Sequence, residues 1–114
     1  MRRKAQKSRC EKRKISKSEE VIRVYDIIQN KYADILDKDS AIKEIRCNVP
    51  LDGELDEFMS DFVCVKSDGD LLVRECAFRK YLTKPLTIKL LDQSREYWVR
   101  RGVIDWKVIV DAEE

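Results

Sequence analysis

Between Phe58 and Val110 the apolar residues change period twice, and that alternation leaves few folds open to the chain. Phe58-Met-Ser-Asp-Phe-Val-Cys-Val-Lys66 and Leu71-Leu-Val-Arg-Glu-Cys-Ala-Phe78 read as strands, and Ser67-Asp-Gly-Asp70 between them reads as a tight hairpin connection. Arg79 to Lys84 is a polar loop. Leu86, Leu90, Leu91, Tyr97 and Trp98 then recur at helical spacing, with Thr83 as a cap, Pro85 in the first turn and Gly102 just past the end. Val103-Ile-Asp-Trp-Lys-Val-Ile-Val110 is nearly all apolar at its end, as in a central strand covered on both faces. A strand, a helix and a strand in succession make a crossover unit. The strands at 71–78 and 103–110 are therefore expected to pair in parallel within a mixed sheet.

Upstream, Val21, Val24, Tyr25, Ile28, Tyr32, Ile35 and Leu36 fit one amphipathic helix over 19–37. Ser18 would be its N-cap, and Glu19 and Glu20 would lie in the first turn, where the helix dipole favours acids. Asp37-Lys-Asp-Ser40 ends it. Ile42, Ile45, Cys47 and Val49 suggest a strand with one irregularity, and Pro50-Leu-Asp-Gly53 a turn. The expected order is α-β-β-β-α-β, an α/β domain over residues 18–114. Residues 1–17 carry no helical stripe and read as a flexible arm.

The net charge of +2 conceals an asymmetry: residues 1–17 sum to +8 and residues 18–114 to −6. A basic arm on an acidic domain points to a polyanion. Arg2, Arg3, Lys4, Lys7, Arg9, Lys12, Arg13 and Lys14 are the candidate phosphate contacts. The arm holds no aromatic residue, so it should follow a duplex backbone rather than stack on bases. The absence of His excludes Ser–His and Cys–His catalysis and removes the commonest zinc ligand. Three glycines leave no room for a phosphate-cradling loop. Cys10, Cys47, Cys64 and Cys76 form no close pair, and the last three sit in apolar stretches as core thiols. The N-terminus is charged with no apolar segment behind it, and no run approaches the ~20 residues of a membrane helix. A cytoplasmic protein without membrane contact is expected.

Two acids stand where acids are costly. Asp61 lies in a strand beside Phe62, Val63, Cys64 and Val65, and Glu75 lies in the next strand between Arg74 and Cys76. Buried carboxylates on paired strands need a counter-charge or a cation. Their hard oxygens suit Mg²⁺ or Mn²⁺, with Glu20 on the first helix as a third acid. The alternative from the residues alone is that both are strand-end acids paired with Arg46, Arg74 or Arg79.

This order of elements, with Asp on the second strand and Glu on the third, resembles the PD-(D/E)XK nuclease core, the restriction-endonuclease-like fold. More specifically it is similar to the N-terminal domain of TnsA-type heteromeric transposase endonucleases. Ile45-Arg46, Val49-Pro50-Leu51, Ser60-Asp61-Phe62-Val63 and Val73-Arg74-Glu75-Cys76 follow the family's successive strands. Lys89-Leu-Leu-Asp-Gln-Ser-Arg-Glu-Tyr-Trp98 and Gly102-Val-Ile-Asp-Trp106-Lys-Val-Ile-Val-Asp111 follow its helix and last strand. The resemblance implies a subunit that cleaves the 5′ ends of a mobile element in double-stranded DNA, beside a DDE-type transposase. It also implies Mg²⁺ or Mn²⁺ held by a helix acid, Asp61 and Glu75. Glu20 is the natural helix acid, with Asp26 and Asp34 as runners-up. The family's catalytic Lys falls at Ala77. The resemblance therefore leaves two roles, a nuclease in which Arg79, Lys80 or Lys89 (or Lys84) substitutes for that Lys, or a catalytically impaired subunit that binds DNA or a transposase partner.

Overall fold

The computed structural model describes residues 2–3, 10–52 and 58–111. Strands β1 (Arg2–Arg3), β2 (Glu11–Arg13) and β3 (Ile22–Val24) precede helix α1 (Ile27–Lys38). Strands β4 (Ile42–Pro50), β5 (Phe58–Lys66) and β6 (Leu71–Cys76) follow, then a 3-10 turn (Arg79–Tyr81), helix α2 (Pro85–Arg100) and strand β7 (Asp105–Ile109). The main sheet runs β4-β5-β6-β7, with β1 also paired to β5. β5 is antiparallel to both β4 and β6, and β6 is parallel to β7, as the crossover requires.

The domain is α/β, with a layer on each face of a mixed sheet. Ile42, Ile45, Phe62, Cys64, Leu72 and Cys76 pack against Ile28, Ala33 and Leu36 of α1. Val63 and Val73 on the opposite face pack against Leu51, Val103 and Trp98 of α2. Phe62 is fully buried, a side chain whose burial is worth about 2–3 kcal/mol. Cys64 and Cys76 are buried free thiols, and Cys47 is half-buried. Burial pushes the Cys47 and Cys64 thiols up to about 12, which keeps them protonated and inert.

The N-terminal third departs from the expected layout. The helix begins at Asp26, not Ser18: the Asp26 side chain accepts from Gln29 N–H at 2.8 Å. Residues 22–24 form a strand instead, because Ile22 and Val24 both point inward with Arg23 outward, a period of two. The arm does not end at residue 17 as a free segment. β2 pairs with β3 from Glu11↔Val24 to Arg13↔Ile22, and Ile15 is buried in the core. Lys17 C=O accepts from Ile45 N–H at 2.9 Å, joining the hairpin to β4. The Asp37 carboxylate accepts from Ser16 Oγ at 2.8 Å and Lys17 N–H at 3.0 Å.

At the other end, α2 closes in a Schellman motif. Val103 N–H donates to Trp98 C=O and Gly102 N–H to Val99 C=O, both at 3.0 Å. Gly102 sits at φ +84°. A Cβ there meets nothing within 4 Å, so only the backbone resists a side chain. Gly102→Ala is expected to cost about 1 kcal/mol in a urea denaturation curve. A neutral result would mean that this helix end relaxes at no cost.

Candidate active site

The β5–β6 ladder runs from Val65↔Leu71 to Phe62↔Arg74 and stops there. Beyond it the two strands are joined by acidic side chains. Asp61 Oδ2 accepts from Cys76 N–H at 2.7 Å, and Glu75 Oε1 accepts from Asp61 N–H at 2.8 Å. Each carboxylate thus takes a backbone donor of the opposite strand. Both residues are fully buried. The sequence expectation that Asp61 and Glu75 come together is met by this exchange of hydrogen bonds.

Glu75 Oε2 is held from the α2 side. Ser60 Oγ donates to it at 2.8 Å and Ser94 Oγ at 2.5 Å. Each serine in turn accepts an indole N–H, Trp98 Nε1 to Ser60 at 2.9 Å and Trp106 Nε1 to Ser94 at 3.1 Å. Trp98 is buried and Trp106 packs half-buried against the same cluster, and both are the outer donors of a chain that ends on Glu75. Burial pushes the proton affinity of Glu75 up, and the Asp61 charge adds to this, against the hydrogen bonds from Ser94 and the Asp61 amide. From the α1 side, the fully buried Gln29 donates to Asp61 C=O at 3.3 Å and to Asn48 Oδ1 at 3.0 Å. The irregularity expected in β4 is a register shift between Ile42 and Glu44; Asn48, at φ 54°, keeps the register, and its Nδ2 donates to Arg23 C=O at 2.8 Å.

Ser60, Ser94 and Gln29 escaped the sequence reading. Ser94 left a trace, being a small polar residue four before Trp98 on the inward stripe of α2. Gln29 left a weaker one, next to Ile28 on the buried side of α1.

The third acid is not where it was expected. Glu20 is on no helix. It is exposed in the turn between β2 and β3, where its C=O accepts from Ser18 Oγ. There it lines a groove of about 690 Å³ with Glu19, Arg23, Glu44 and Arg46. Asp34 pairs with Arg13 at 2.5 Å. Asp26, at the start of α1, is an acid on that side whose field reaches Cys76, the neighbour of Glu75. The Cys76 thiol is pushed up first by burial, then by Asp61, then by Asp26. Among the described residues no cluster of three or more His, Cys, Asp or Glu able to hold a metal is assembled. Two adjacent carboxylates with hard oxygens are the donor set present. Such oxygens are the type Mg²⁺ takes, but both acids are fully buried and Glu75 would have to give up a serine or amide donor to bind an ion.

Of the cations named as substitutes for the missing Lys, Arg79 and Lys80 have partners other than the two acids. Arg79 N–H donates to Asp111 Oδ1 at 2.7 Å, and its Nε to Asp111 C=O at 2.9 Å. The Lys80 ammonium lies 5.0 Å from the centre of the Tyr81 ring. Lys89 is exposed on α2. Ala77 is half-buried, and its N–H donates to Ile109 C=O at 2.9 Å. Arg74 pairs with Asp105, not with Asp61 or Glu75, at 2.8 Å.

Of the expected DNA contacts, Arg13 is committed to α1, donating to Asn30 Oδ1 at 2.7 Å as well as to Asp34. Lys14 donates to Glu19 C=O at 3.1 Å, and Lys12 is exposed. Arg2 and Arg3 are described as the backbone of β1, paired with Met59 and Phe58. Lys4, Lys7 and Arg9 lie outside the described residues. Among the described residues no helix is long and apolar enough to cross a membrane. No protein-family model matches the chain, and no curated protein matches it.

Proposed function

We propose that the chain is a nuclease-fold subunit of the TnsA type, cutting duplex DNA at the 5′ ends of a mobile element beside a DDE-type transposase. The observation that carries this reading is the meeting of Asp61 and Glu75 where β5 and β6 part, each bonded to the other strand's backbone. Asp61 and Glu75 would hold Mg²⁺ or Mn²⁺. A bound divalent ion supplies charge stabilisation to a phosphodiester and lowers the pKa of its water. The chain's own residues set the frame. Ser60, Ser94, Trp98 and Trp106 orient Glu75 from the α2 side, and Gln29 fixes the backbone of Asp61 from α1. Asp26 is the helix acid that fits this reading in place of Glu20.

A second reading is favoured by two specific observations. Ala77 offers no cation, and both oxygens of Glu75 are taken by protein donors. On that reading the fold binds DNA or the transposase without cleaving.

The test is a nicking assay on labelled mobile-element ends, with the full chain alone and with its transposase partner, in Mg²⁺, Mn²⁺ or EDTA. Strand cleavage that needs the metal is the expected result. DNA binding without cleavage in Mn²⁺ selects the second reading, and neither binding nor cleavage defeats both.

A further inference from the structure

The cations that fail to reach the carboxylates are gathered in another place. Residues 76–91 hold Arg79, Lys80, Lys84 and Lys89 and no acid, in a chain with 22 acidic residues. The 3-10 turn and the start of α2 fold this stretch onto one exposed ring. Lys84 Nζ lies 4.4 Å and Lys80 Nζ 5.0 Å from the centre of Tyr81, and Phe78 meets the same ring edge-on at 6.1 Å. Tyr81, Lys80 and Lys84 are all exposed. The ring holds each ammonium by a cation–π contact worth about 0.5–1 kcal/mol at an exposed site. The two like charges are thereby kept within about a Debye length of each other, roughly 8–10 Å, and repel. Among the described residues Asp111 is the acid that faces this turn, and it is bound to Arg79.

Two positive groups held against one aromatic ring are matched by a run of phosphates. The first turn of α2 adds to this. Lys84 caps it without a side-chain hydrogen bond and no acid lies in that turn, so its amide groups add partial positive charge. The place is also right for the site above. Arg79 stands four positions after Glu75, a reach of at most ~14 Å of chain.

We propose that the Arg79–Tyr81 turn and Lys84 form a clamp for the phosphodiester backbone of duplex DNA, with Lys80 and Lys84 as its paired cations. The clamp takes its polyanion from the reading given above and so rests on it. It moves the main phosphate contact from the N-terminal arm to the turn that follows β6. It reads backbone and not sequence, since ammonium groups on phosphates carry no base information.

The test is fluorescence anisotropy with a short labelled random-sequence duplex over a range of KCl concentrations, using the full chain. Lys80→Ala with Lys84→Ala is expected to weaken binding at least tenfold. The log–log salt slope should become shallower by about 1.8, which is ~0.9 per phosphate contact. The control, Lys31→Ala with Lys43→Ala, removes the same charge from exposed sites on α1 and β4 and should change neither. Unchanged affinity and slope in the first variant overturn the clamp, and so does an equal loss in the control. Loss of binding to poly-glutamate but not to the duplex also overturns it, in favour of an acidic protein partner. The two proposals fail separately. Wild-type binding without cleavage leaves the clamp standing without the nuclease. Cleavage with an unchanged salt slope in the double variant does the reverse.

Discussion

Asp61→Asn is expected to reduce metal-dependent cleavage about 10³-fold while leaving the domain folded. The size follows from what a metal supplies. Several kcal/mol of charge stabilisation, at 1.36 kcal/mol per decade, is three orders of magnitude. The survival of the fold follows from geometry. Asp61 contributes to the sheet by accepting the Cys76 N–H at 2.7 Å, and the amide oxygen of Asn accepts the same bond. The substitution also removes a negative charge that raises the proton affinity of Glu75. A circular-dichroism melt should therefore stay close to that of the wild type, and the cleavage assay alone should collapse. Cleavage within tenfold of wild type would eliminate Asp61 as a metal ligand. A melt that falls with the activity would mean that the carboxylate is structural and that the loss says nothing about chemistry.

The sheet and α2 were legible in the sequence because their signals are local. The hairpin at Ser67–Asp70, the Pro85 start and the Gly102 stop each act within a few residues, and the parallel pairing of β6 and β7 follows from the crossover between them. The N-terminal third was not legible for the opposite reason. Val24 belongs both to a helical stripe running from Val21 through Ile28 and, with Ile22, to a strand of period two. What decides between these is pairing with Glu11–Arg13, which no local pattern announces. Once that pairing forms, the Arg13 guanidinium reaches Asn30 and Asp34, and residues 11–17 of the segment that reads as a free basic arm are part of the domain. The acid pair was legible since two carboxylates in apolar strands stand out against their neighbours. Its supports were not, because a serine or a glutamine on a helix declares a buried role only when its partner across the fold is known. Ser94 needs Glu75, and Gln29 needs the backbone of Asp61. The misplacement of Glu20 has the same origin as the misplaced helix: moving the start of α1 to Asp26 moves the candidate acid with it.

Glu75→Ala should destabilise the domain by about 3 kcal/mol or more, a large share of the ~5–15 kcal/mol available to a domain of this kind. Three buried donors lose their acceptor together: Ser60 Oγ, Ser94 Oγ and the Asp61 N–H. Each buried donor left unsatisfied costs about 1–3 kcal/mol. Relief of the buried carboxyl beside Asp61 offsets part of that sum, which places the net near its lower end. Urea denaturation at pH 7 in EDTA measures it, and a loss below about 1 kcal/mol would show that the network is not holding β5 to β6. The same residue fixes a pH dependence with a definite sign. Glu75 binds its proton more tightly in the folded protein than at its ordinary value of 4.5, because burial disfavours the charge. The folded state then holds a proton that the unfolded chain releases, so this contribution is full below about 4.5 and is lost as pH rises through the folded value. Asp105 has the opposite sign. Burial pushes its carboxyl up, but Lys66 and Arg74 outweigh that and hold it below 3.8, so its contribution fades only as pH falls below that window. The two windows lie on either side of pH 4, which separates them experimentally. In Glu75→Gln the decline above about pH 4.5 should disappear while the acid limb remains, and a decline that persists would assign it to another group.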